Sequence, residues 1–304
     1  MASLPTAGGA GLPALALALN ACIWGVSWWP FRQLQGQGLH PLWATVLIYS
    51  VAVLAISLWR PRAWRQLFST PMLWVLVLAS GCTNASFNWA VTLGDVVRVV
   101  LLFNLTPLWA VLLARVLLGE PFTAAVLRRV ALAVAGAAVV LWPAAGWGAG
   151  GAQLPWPRGL ADGLGLLGGF SFALNNIMLR RQAQSPPEAC ALSMFLGGAL
   201  VAAVLALSLA ASESGAPGVP WPPAPRWGWT LVALAMAAAF LIGNLALQYG
   251  ASRLPANVTA VIVATEVLFA SVSAVLLGAS SLSTPLVLGG MLILGASLLS
   301  ARQR

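Results

Sequence analysis

The chain contains no lysine, and its 304 residues carry only 15 arginines and six acidic side chains. Soluble domains are usually about 25% charged, whereas this chain is 7% charged. So few charges cannot cover a water-facing surface, which excludes a cytosolic enzyme and a disordered chain. Without lysine there is no phosphate loop of the G-x-x-x-x-G-K-[ST] type, so this chain does not itself hydrolyse ATP. Its one histidine, His40, lies in a short loop and speaks against a histidine-based metal site or a serine–histidine dyad in a membrane. Cys22, Cys82 and Cys190 fall in apolar segments at spacings that fit neither zinc nor a disulfide framework. The formal charge of +9 invites nucleic acid as a partner. The arginines, however, are scattered between apolar runs and form no patch, which excludes that reading.

What remains is apolar: 60% of residues are hydrophobic. Ten segments stand out, at 12–34, 41–59, 72–93, 97–118, 123–142, 160–180, 188–210, 228–250, 256–277 and 284–301. Each approaches the roughly 20 helical residues that a hydrocarbon core about 30 Å thick requires. Amides in lipid must bond internally, and no alternating barrel pattern occurs. The expectation is an all-α integral membrane protein with ten transmembrane helices. No basic stretch precedes the first segment, which reads as an uncleaved helix. Gly94-Asp95 and Gly119-Glu120-Pro121 make tight connections, whereas 143–158 and the proline-rich 211–226 are longer.

Loops rich in arginine stay cytoplasmic. With the N-terminus inside, eleven arginines face inward and four outward (Arg32, Arg98, Arg158, Arg226), so both termini are expected in the cytoplasm. Trp43, Trp59, Trp142, Trp227 and Trp229 read as interfacial anchors. The lysine-free, Ala-, Leu- and Gly-rich composition suits a GC-rich bacterial genome, and hence the bacterial inner membrane.

The two halves resemble each other. At a shift of 159 residues, Leu105-Thr106-Pro107-Leu108 falls on Ala264-Thr265-Glu266-Val267, Leu118-Gly119 on Leu277-Gly278, and Gly136 on Gly295. At a shift of 144, Trp24-Gly25-Val26-Ser27-Trp28 falls on Gly168-Gly169-Phe170-Ser171-Phe172. Each half holds five spans, and an odd number makes the second copy enter the membrane the opposite way. Residues 1–145 and 159–304 are therefore expected as two inverted five-helix repeats, joined by an external linker at 146–158. Inverted repeats are a transporter architecture, with the substrate near the midplane between the halves.

The order Trp24-Gly25, Asn88-Trp89-Ala90, Thr106-Pro107-Leu108 and Leu118-Gly119-Glu120-Pro121 resembles the EamA-like family of the drug/metabolite transporter superfamily. The likeness covers nearly the whole chain. Val267 stands where the family's usual Glu-Pro pair has proline, and Ala279 where the family often has Glu at a helix end. The resemblance implies a ten-helix transporter of small organic solutes, often an exporter of amino acids or related metabolites.

Polar side chains inside spans face neighbouring helices or a wet cavity. Span one carries Asn20, Trp24, Ser27 and Trp28; span three Ser80, Asn84 and Asn88; span four Asn104; span six Ser171 and Asn175; span eight Asn244 and Gln248. As helix-to-helix glue, each amide contact is worth roughly 0.6 kcal/mol. Polar faces on five spans across both halves favour a shared cavity. Spans five, seven and ten lack carboxamides between their ends and read as peripheral supports. Pro107 should kink or gate span four, because it cannot donate to the carbonyl of Phe103.

Glu266 falls near the centre of span nine, on a face with Thr259 and Ser273. A central ionisable group costs about 2.5–3.5 kcal/mol on insertion scales. It could bind a cationic amine, carry a proton, or form a structural hydrogen bond. No central cation accompanies it, which disfavours strongly anionic substrates. Asp162 is expected beside Arg158 at i−4, and Glu120 to cap span five.

The candidate substrate-binding set is therefore Trp24, Ser27, Trp28, Asn84, Asn88, Asn104, Ser171, Asn175, Asn244, Gln248 and Glu266, with Pro107 as the kink. No metal or cofactor is implied. The expected activity is secondary transport of a small neutral or zwitterionic metabolite, outward, by alternating access, with protons as the candidate coupling ion. Multidrug or cation efflux on the same fold is the alternative. A membrane-embedded enzyme would need a paired nucleophile and base or a metal cluster. A non-transporting bundle would leave the polar faces unexplained.

Overall fold

The computed structural model describes residues 11–119, 123–140, 157, 159–182, 184–211, 219–251, 253–254, 256–281 and 283–301. The described residues form fourteen helices and no strand. The first half holds α1 (Gly11–Val26), α2 (Trp28–Gly36), α3 (Pro41–Trp59), α4 (Arg62–Ser69), α5 (Met72–Leu93), α6 (Val96–Phe103), α7 (Thr106–Leu118) and α8 (Ala124–Val140). The second holds α9 (Leu160–Arg181), α10 (Pro187–Ala210), α11 (Trp227–Ala251), α12 (Ala256–Val263), α13 (Glu266–Leu276) and α14 (Thr284–Ala301). Among the described residues, five stretches are long and apolar enough to cross a membrane: Gly11–Gly36, Pro41–Trp59, Val96–Leu117, Pro187–Ala210 and Trp227–Ala251. A sixth arises if α4 and α5, bent by 105°, count as one span. Shorter apolar helices complete a multi-pass membrane protein.

Every predicted segment coincides with helix, but three of them are broken. Segment 12–34 parts at Ser27, 97–118 at Asn104-Leu105, and 256–277 at Ala264-Thr265. In span four the break falls before Pro107, which becomes the second residue of α7, where its missing N–H leaves no helical bond unmade. The Phe103 carbonyl that proline cannot serve accepts the Thr106 hydroxyl at 2.9 Å. The sequence points to a kink at Pro107; the structure instead has a full interruption just ahead of it. Span nine breaks at the matching place without a proline, and there Thr265 donates its hydroxyl to Ile262 at 2.6 Å. Thr106 and Thr265 are aligned by the 159-residue shift, as are Gly119 and Gly278. Both of those glycines adopt left-handed backbone, at φ 70° and 67°.

The second alignment also has a structural counterpart. A methyl group on Gly25 of α1 would collide with the Glu266 carbonyl and Phe269 at the start of α13. One on Gly169 of α9 would collide with the Phe103 backbone beside the span-four break. Each repeat's first span thus lies tight against the broken span of the other repeat.

Helix α4 lies in the 60–71 connection, between the predicted spans. Its Ala63 and Leu67 are buried, Arg62 and Arg65 point elsewhere, and Trp64 donates its indole N–H to Ser57 at 2.8 Å. This two-faced composition suits a helix lying along a membrane interface.

Span seven is not peripheral, contrary to the sequence-based expectation. As α10 it packs against both α3 and α5. Gly197 and Gly81 permit this approach, since a methyl group on either would meet the facing backbone. Lack of carboxamides therefore did not mark distance from the centre. Spans five and ten do pair with each other, as α8 and α14, through Gly136 and Gly289. Glu120 and Arg158, assigned capping and ion-pair roles above, lie outside the described residues.

Candidate functional site

A central cavity is lined by eight of the ten predicted spans, all except five and ten. It offers about 110 Å³ of room for the centres of water molecules. A single buried water needs roughly 10–15 Å³ on that measure, so the space suits a small organic molecule. Polar groups reach it from Asn20 on α1, Tyr49 on α3, Ser80, Thr83 and Asn84 on α5, Asn175 on α9, Asn244 on α11 and Glu266 on α13. Aromatic rings make up much of the remaining wall. Trp24 stacks on Phe240 at 4.5 Å, while Phe87, Phe103 and Phe172 form a chain with centroid separations of 4.8 and 5.3 Å.

Glu266 opens α13; it is not in mid-helix, because span nine breaks just before it. The exposed N–H groups of a helix start favour negative charge. Among the described residues no hydrogen bond or ion pair engages its carboxylate. The break separates Thr259 from Glu266, whereas Ser273, two turns on in the same α13, keeps the expected face and accepts the Trp28 indole N–H at 2.9 Å.

Five of the eleven sequence-derived candidates line this cavity: Trp24, Asn84, Asn175, Asn244 and Glu266. Gln248 lines a neighbouring cleft and donates to Asn244 at 2.7 Å. The other five lie elsewhere. Asn88 is fully buried and donates to Thr45 at 3.0 Å, tying α5 to α3. Asn104 donates to the carbonyl of Val100 at 2.9 Å, closing the end of α6. Ser27 donates to Trp24 at 2.8 Å where α1 ends, Trp28 is held by Ser273, and Ser171 is buried off the cavity wall. Pro107 stands at the break that brings Phe103 to the wall.

The candidate set omits Asn20, Tyr49, Ser80, Thr83 and the ring cluster. Tyr49 carried a usable signal. It is one of two tyrosines, set mid-span, where a phenol needs a partner. It donates to Asn84 at 2.6 Å, and Asn84 donates on to the Ser80 carbonyl at 2.8 Å. Asn175 also lines the cavity, and its buried side-chain oxygen has no partner among the described residues; the oxygen of Asn88, off the cavity wall, has none either.

At the end of the bundle near Gly94, polar contacts join the two halves. Arg98 grips Asp162 with two 2.8 Å bonds and donates a third to the Val140 carbonyl at 2.7 Å. Asp162 thus pairs with Arg98 across helices; Arg158, its expected neighbour, lies outside the described residues. Asp95 caps α6 and accepts from Ser280 at 2.5 Å. Arg32 donates to the carbonyls of Val91 and Gly94 at 2.9 and 2.5 Å.

No curated protein matches the chain with significance. A solved crystal structure resembles it with a TM-score of 0.59 over 96% of this chain and 97% of that chain. At 19% identity this likeness speaks for the fold alone. The family model described as the EamA-like transporter family matches twice, over 11–142 and 159–302. That family consists of membrane transporters and not enzymes. The double match spans both halves around the shared cavity, and the chain belongs to the EamA-like transporter family.

Proposed function

We propose that the protein is a ten-helix secondary transporter of a small neutral or zwitterionic organic metabolite, which it exports across a bacterial inner membrane. Repeats 1–145 and 159–304 are inverted, both termini are cytoplasmic, and 146–158 is external. Trp24, Asn84, Asn175, Asn244 and Glu266, with Asn20, bind the solute, and one half rocks against the other to alternate access. The observation that carries this reading is the central cavity, to which both repeats bring amides and a single carboxylate. Helices held together only by amide pairs would not leave a space of this size between them, with the Glu266 carboxylate on its wall and without a partner among the described residues.

Protons pass through Glu266 in this reading. Comparing metabolites released by overexpressing and deleted cells identifies the solute. With that solute in vesicles, Glu266→Gln should lose gradient-driven accumulation while retaining exchange between loaded compartments. Loss of both, in folded protein, points to binding of a substrate amine by Glu266. Normal uphill transport would leave it a structural group. Efflux of hydrophobic cations is the second reading, favoured by the rings around one carboxylate, since aromatic faces attract cations.

A further inference from the structure

A second cleft lies between α10 and α11, over the end of α3. On the same measure it offers about 240 Å³, more than the central cavity. Phe195 and Asn244 belong to both spaces, so these two side chains form the partition between them. The polar groups in the cleft run in a line. Arg60 follows the last turn of α3, Glu188 sits in the first turn of α10, Gln248 lies on α11, and the Gln248 bond to Asn244 reaches the partition. Arg60 is exposed and Glu188 half-buried, and no ion pair joins them among the described residues. Both are at the opposite end of the bundle from the Arg98–Asp162 contact, since α9 carries Asp162 at its start and leads at its far end into α10.

We propose that this cleft is the inner portal to the central cavity, with Arg60 and Glu188 as the first contact for a zwitterionic solute. The proposal rests on the solute-cavity reading above. A cleft with a guanidinium and a carboxylate at its mouth holds water, because lipid tails cannot solvate either group. Two opposite charges on facing helices match the two ends of a zwitterion. Among the described residues, Phe195 and Asn244 are the side chains shared by both spaces, and their displacement connects the two.

Cysteine chemistry tests this without knowing the solute. In a background lacking Cys22, Cys82 and Cys190, Thr83→Cys on the central wall should react with a small charged methanethiosulfonate in inside-out vesicles. Filling the cleft by Ala191→Trp, or from the other wall by Leu245→Trp, should slow that reaction by an order of magnitude or more. If either folded variant leaves the rate unchanged, the solute path runs elsewhere and the portal is overturned, while the cavity reading stands. If Thr83→Cys reacts from neither membrane face, the cavity reading fails and the portal with it. At Ala191→Cys, Glu188→Gln should lower the ratio of cationic to anionic reagent rates, and Arg60→Gln should raise it, each by about two- to five-fold. An unchanged ratio in both removes the two charges from recognition.

Discussion

Asn88 and Asn175 are the same residue type, each inside a 22-residue helix, yet their surroundings differ. Asn88 is sealed between α5 and α3 with its amide on Thr45 and stays off the cavity wall, whereas Asn175 lines the cavity; the side-chain oxygen of each has no partner among the described residues. Asn88→Leu should therefore cost folded stability, about 0.6–1.7 kcal/mol by the range for membrane helices, with near-normal transport per folded molecule. Asn175→Leu should do the reverse, abolishing most transport at unchanged thermal stability. Measuring both variants in detergent and in vesicles checks the split; matched losses at both positions would return Asn175 to a structural role. His40 makes a third test. Its ring accepts from the Leu42 N–H at the start of α3, and burial pushes its pKa down to about 4. A depressed histidine contributes stability that is complete above its unfolded pKa of about 6.5 and is lost as pH falls towards 4. His40→Asn can keep the cap without titrating, so it should lose less thermal stability than the parent between pH 7 and 4.5. Equal losses would place the acid sensitivity elsewhere. These cases show what residue identity could and could not convey. The polar faces were legible because lipid tolerates few amides. Which amides face the cavity depends on tertiary partners such as Thr45 and Tyr49, which lie far away in sequence.

At the scale of elements, the helical character of the apolar segments was legible because amides in lipid must bond internally, and five stretches, or six with the bent pair, are long and apolar enough to cross among the described residues. The interruptions were only half legible. Pro107 announced trouble in span four, but the matching break before Glu266 has no proline, and only the repeat alignment points to it. Helix α4 was not legible, since its eight residues read as a polar connection until their two faces are drawn. Glycine carries most of the close packing. Gly197 of α10 faces the Val77 carbonyl of α5, and Gly81 of α5 faces the Gly197 carbonyl. The atoms nearest to a methyl on Gly197 are all backbone, so it must push the two helices apart. Overpacking of this kind costs about 1–3 kcal/mol. Gly197→Ala should lower thermal stability by that amount and reduce the folded yield. Gly11→Ala meets nothing within 4 Å and serves as the neutral control. Equal stability of the two variants would show that α5 and α10 are less tightly apposed.

At the scale of the whole molecule, the two ends of the bundle differ. The end near Arg98 is locked between halves by the Asp162 pair and by the Ser280–Asp95 bond, while the opposite end holds the cleft between α10 and α11. In the proposed orientation and alternating-access cycle, this asymmetry would correspond to a state closed outside and approachable from inside. The pair is only partly shielded, with 20% and 8% of its side chains exposed. Removing one partner of such a pair leaves the other charge poorly compensated, so the closed end should loosen. Asp162→Asn retains the side chain's size and gives up the charge. With the central reporter Thr83→Cys, this variant should raise the rate of labelling by an impermeant reagent in intact cells and lower the rate in inside-out vesicles. Opposite changes on the two faces distinguish a shift between conformations from general loosening, which would raise both rates. Unchanged labelling on both faces would make the Arg98–Asp162 contact a fixed strut, and outward opening would then have to occur with the halves still joined there.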